Sequence, residues 1–177
     1  MTTTGPNGSD RPDGNPQREA VEYDHRELVS LLSEVDLAFA QDPHAAHDES
    51  VYEVEAGDDG SLYPQSVASG GPTPEGVILW TRVDPDAFDP DEPLAVVVAR
   101  EDDPGFEDPC YRGVVDDGGA IRAHDHTVKV DLDGVLGSGE RYHYRFVYDG
   151  VASRTGRCRT LPAPNDAVDS LRLATPS

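Results

Sequence analysis

Apolar positions change their spacing once along this chain. In YDHRELVSLLSEVDLAFA, Leu28, Leu31, Leu32 and Val35 recur at helical intervals, with Phe39 one turn further on. Asp24 can cap this segment and Glu27 completes a capping box, so the spacing predicts a helix over Asp24 to Ala38 with its stripe packed on its own domain. QDPHAAHDESVYEVEAGDDG follows as a loop with a short strand at VYEV. From Leu62 the period shortens. Apolar, β-branched runs alternate with Gly, Pro and Asp turns: LYPQSVASG, GVILWTRV, LAVVVARE, CYRGVVDD, HTVKVDLD, RYHYRFVYDG and VASRTGRCRT.

Seven runs over about a hundred residues have the footprint of an immunoglobulin-like sandwich. The expected fold is therefore mainly β, an immunoglobulin/fibronectin III-like β-sandwich of about seven strands with one N-terminal amphipathic helix. LGSGERYHY strengthens it, because Leu136 followed by Tyr142 has the form of a tyrosine corner, whose hydroxyl ties a crossing back to the backbone. Tyr142, Tyr144, Phe146 and Tyr148 share one face of a strand, and the core reading of that stripe outweighs a ligand platform. The chain divides into a disordered tail at 1–20, helix and loop at 21–60, the sandwich at 61–162, and a linker plus a single strand, LRLA, at 163–177.

Charge adds a second constraint. There are 35 Asp and Glu against 14 Lys and Arg, a formal net charge of -21, and Lys129 is the single lysine. Such a field repels nucleic acid and anionic membranes. Acids spread between apolar runs argue for a folded, carboxylate-coated protein of a salt-in, haloarchaeal type, and predict that low salt destabilises it. No run approaches a membrane span and MTTTGPNGSDRPDGNPQ lacks the parts of a signal peptide, so the expected location is the cytoplasm.

Candidate chemistry is sparse. Cys110 and Cys158 lack metal-finger spacing and are expected as idle thiols, with a disulfide between them less favoured. SVASGGPTPEGVILWTR resembles a phosphate loop or a nucleophile elbow only superficially. No Lys follows its glycines, a strand follows instead of a helix, and Val67 stands where an elbow before Ser69 needs Gly. Gly70, Gly71, Pro72, Thr73 and Pro74 suit a strand-to-strand turn. His124 and His126 could reach one metal if they lay on a strand, but local hydrogen bonding at a strand start is the stronger expectation. Asp84, Asp86, Asp89 and Asp91 are oxygen ligands in type, yet Asp89 and Ala95 stand where a calcium loop needs Gly and Glu, and a solvated loop is favoured. No catalytic, cofactor-binding or metal residue is therefore assigned.

YPQSVASGGPTPEGVILWTRV, HTVKVDLDG and RYHYRFVYDGVASRTGRCRTLPAP together resemble the N-terminal domain of PhoD-type alkaline phosphatases, over about Leu62 to Ala174. Gly71 departs from the family, which commonly has Asp there. The resemblance implies a fibronectin-like domain ahead of a metallophosphatase domain that uses iron and calcium to hydrolyse phosphate mono- and diesters, in proteins that are often exported. LRLA resembles the first strand of that second domain, but Ala174-Thr175-Pro176-Ser177 stands where the metal-binding Cys would come. The expectation is a truncated, non-catalytic chain whose partner is a metallophosphatase catalytic domain, missing or separate. A free-standing module docking on a separate metallophosphatase through LRLA is the alternative, and a carbohydrate or cell-surface binder using the aromatic stripe ranks last.

Overall fold

The computed structural model describes residues 39–40, 48–168 and 170. The helix expected over Asp24 to Ala38, the tail at 1–20 and the LRLA strand lie outside them.

The described residues form two sheets. One has the order β1-β7-β4-β3, from β1 (Phe39–Ala40), β3 (Val67–Gly70), β4 (Ile78–Arg82) and β7 (Thr127–Asp131). The other runs β2-β9-β8-β5-β6, from β2 (Ala56–Gly57), β5 (Leu94–Arg100), β6 (Tyr111–Val115), β8 (Arg141–Tyr148) and β9 (Val151–Ala152). β10 (Gly156–Arg159) pairs with the first half of β8. Their inner faces share one core. Leu79, Val128 and Val130 of the first sheet meet Leu94, Val96, Val98, Tyr144 and Phe146 of the second. The chain is thus mainly β, as its alternating pattern predicts.

Burial explains the departures from simple alternation. β5 is buried at every position from Leu94 to Ala99, because its outer face is covered as well. Tyr52 and Phe106 pack over Val97 and Ala99 there, and a sheet covered on both sides reads as a continuous apolar run. Four local expectations are corrected. VYEV is not a strand: a 3-10 turn spans Glu49–Tyr52, with Asp48 accepting from Ser50 N. LYPQSVASG is extended only from Val67, since Ser66 has φ 60 and its N–H bonds Tyr63 O at 2.7 Å, closing a turn. VASRTGRCRT breaks in two at Ser153, whose Oγ accepts from Phe146 N. A helix, α1 (Gly118–Ala123), precedes β7. Asp117 caps it, and Gly118 is required because a Cβ there would lie 2.1 Å from Pro90 O.

Candidate docking face

The chain leaves the sandwich through a knot of loops. Thr73 N bonds Gly76 O at 2.9 Å, and Thr73 Oγ1 donates to Asp133 Oδ1 at 2.7 Å and accepts from Glu75 N. Gly76 touches the loop after β7 so closely that a Cβ would sit 2.4 Å from Leu132 O. Glu75 O accepts from Val135 N and Leu136 N. Thr160 Oγ1 donates to Gly137 O at 2.6 Å and accepts from Glu140 N. Leu161 N donates to Thr73 O, and Gly139 N donates to Leu161 O. The tyrosine corner closes the knot: Tyr142 Oη accepts from Gly137 N at 2.8 Å and donates to Glu140 Oε2 at 2.8 Å. Burial and that carboxylate push the Tyr142 phenol up to about 12. The two motifs that carry the family resemblance thus meet here as structure. The turn that Gly70 to Pro74 predict is present, with Gly71 at φ +54, a conformation L side chains rarely adopt.

β8 and β10 present their opposite face outward. Tyr142 and Cys158 point into the core, so their neighbours Arg141, His143, Arg157 and Arg159 point away from it. Arg157 lies opposite His143, and Arg159 opposite Arg141. Arg141, Arg157 and Arg159 are exposed. Arg145, further along, lays its guanidinium 4.3 Å from the Phe106 ring centroid. An open hollow of about 620 Å³ at the Arg141 end is walled by Arg100, Glu101, Asp102, Glu140, Arg141 and Arg159. At the far end of β8 lies a second cleft of about 630 Å³ with Asp58, Asp59, Asp84, Asp86 and Asp149 in its walls.

The remaining sequence candidates are scattered. Ser69 sits exposed on β3, its Oγ 3.4 Å from Arg157 O, with no base beside it. His124 caps α1 and its Nδ1 lies 2.8 Å from Ala120 O. His126 packs edge-on against Phe88 at 4.9 Å, and both Asp125 and His126 have positive φ. The HDH run is therefore a turn before β7, not a strand. Asp84 and Asp89 hold the N–H groups of Asp86 and Asp91. Cys110 and Cys158 are both free thiols, and burial raises both, Cys158 to about 12. The stripe Tyr142, Tyr144, Phe146, Tyr148 is at most 2% exposed, so it offers no platform to a carbohydrate. Among the described residues no three His, Cys, Asp or Glu side chains converge as a metal site, so they do not fit the iron and calcium that the resemblance implies. No described helix is long and apolar enough to cross a membrane. The signal that reasoning from sequence missed is the face itself: R-x-H-x-R at 141–145 and R-x-R at 157–159, each at period two.

Residues 48–162 match the family model described as "PhoD-like phosphatase, N-terminal domain". Alkaline phosphatase D of Bacillus subtilis (strain 168) is 33% identical over 133 residues, which are 70% of this chain and 21% of that protein. A solved structure described as that of PhoD aligns with TM-score 0.53 and 31% identity, over 63% of this chain and 21% of the other. The chain spans about a fifth of the length of each.

Proposed function

Because the chain belongs to the PhoD-like phosphatase N-terminal domain family, we propose that it is the non-catalytic sandwich accompanying a metal-dependent phosphate-ester hydrolase domain, on the same polypeptide or a separate one. The match to residues 48–162 carries this reading, since it falls on the family's N-terminal domain and on about a fifth of the relatives' length. The side chains brought together at the chain exit support it. They are hydrogen-bonded braces and exposed arginines, fitted to holding a neighbour, and no step of ester hydrolysis is routed through them.

The test is an assay of the purified chain with p-nitrophenyl phosphate in molar salt with iron and calcium. The expected outcome is no turnover above buffer. Turnover that chelation abolishes would overturn the reading. A family catalytic domain supplied separately should co-sediment with the chain.

A further inference from the structure

The outer face of β8 and β10 breaks a rule that the other described strand pairs keep. Side chains directly opposite on antiparallel strands stand about 5 Å apart, and like charges there are destabilising. Arg159 nonetheless faces Arg141. In a chain of net charge -21 with 14 basic side chains, Arg141, Arg157 and Arg159 are gathered on two adjacent strands. Neighbouring acids only partly answer them. Arg141 reaches Glu101 at 3.4 Å with both side chains about 60% exposed, and Glu140 takes Arg100 at 3.6 Å. Arg157 and Arg159 have no ion-pair partner among the described residues. Local rules are broken where function requires it.

We propose that Arg141, Arg157 and Arg159 form a docking surface for a carboxylate-rich protein surface, that of the catalytic domain. The occupant's identity rests on the reading under Proposed function. Three observations select it. The cations are arginines, whose planar forks pair carboxylates bidentately. They lie open along a ribbon, and the hollow beside them is walled by Glu101, Asp102 and Glu140 as well as by arginines, so it is not shaped as a pocket for a small free anion. And β10 runs directly into Thr160 and Leu161, so a domain joined there is held against this ribbon at high effective concentration.

Poly-L-glutamate is the probe, with polyphosphate of matched charge as its rival. The full chain is titrated with each at the lowest salt that leaves its circular dichroism native, while backbone amide shifts are followed. Saturable binding of polyglutamate is expected, with shifts confined to 141–145 and 156–160. R157E/R159E should weaken it at least about tenfold, and the neutral pair R157Q/R159Q should do so less. D58N/D59N, at the acidic cleft, should leave it unchanged. Absent or unlocalised binding, equal binding by both arginine variants and wild type, or polyphosphate binding tenfold tighter would each overturn the proposal. Phosphatase activity of the chain alone would overturn the functional reading while leaving the polyglutamate result standing.

Discussion

β8 has two faces built to different standards. Inward, Tyr142, Tyr144, Phe146 and Tyr148 are at most 2% exposed, and their polar tips are placed: Tyr142 Oη at Gly137 N and Glu140, Tyr148 Oη between Asp89 N and Asp89 O. Outward, Arg141, His143 and Arg145 alternate with them, and His143 Nδ1 and Arg145 Nε are buried without a partner. Burial pulls the Arg145 guanidinium below its usual range. One strand therefore spends its inward positions on packing that tolerates little change, while its outward positions run from the exposed Arg141 to the buried Val147. The difference separates what makes the sandwich from what it presents.

Substitutions on the inward face should be the most damaging. Tyr144→Ala empties a fully buried site and should remove roughly 3–5 kcal/mol of stability. Gly156→Ala should remove about 1–3 kcal/mol by overpacking, because a Cβ at Gly156 would sit 2.2 Å from the Tyr144 ring. Denaturant titration measures both. A loss for either below about 0.5 kcal/mol would erase the contrast.

The phenols give a milder handle. Tyr142 and Tyr144 are each pushed up to about 12, with burial the leading cause, against an ordinary value near 10. Their folded values are raised, so the stability they contribute is full below pH 10 and is lost as pH climbs toward 12. Melting temperature should hold to about pH 10 and fall beyond it. Tyr142→Phe should flatten that fall and lower stability near neutrality by about 1–2 kcal/mol through the orphaned Gly137 N–H. Parallel melting curves for wild type and Tyr142→Phe across this range would show that the corner hydroxyl does not titrate with unfolding. On the outward face the effect should be smallest and of opposite sign. R157Q/R159Q should shift stability by no more than about 0.5 kcal/mol, toward greater stability, since like charges are relieved.

How much of this was legible in the sequence differs between the same faces. Apolar, β-branched runs marked the longer strands, β5 as a continuous run, and the Leu136–Tyr142 spacing announced the corner, because its hydrogen bond spans only five residues. α1 was not legible. Its two leading glycines are poor helix formers, and Gly118 is there for a contact with Pro90 that no local window contains. His124 and His126 were expected at a strand start for the same reason, since the helix before them sets the turn they occupy. The arginine ribbon was written plainly at period two but gains meaning only when β10 lies beside β8, a pairing that brings Arg159 against Arg141 across the intervening loop and β9. Of the candidate site, the residue types were visible and their juxtaposition was not.

The bonds at Leu161 also make the sandwich a mechanical part. A pull on the chain beyond that residue meets Leu161 N on Thr73 O and Leu161 O on Gly139 N together, at 2.8 Å each, with Thr160 gripping Gly137 directly behind. Those anchors belong to two separate loops, so they share the strain instead of peeling apart one by one. Load on the chain beyond Leu161 is therefore divided between the loop before β4 and the loop before β8.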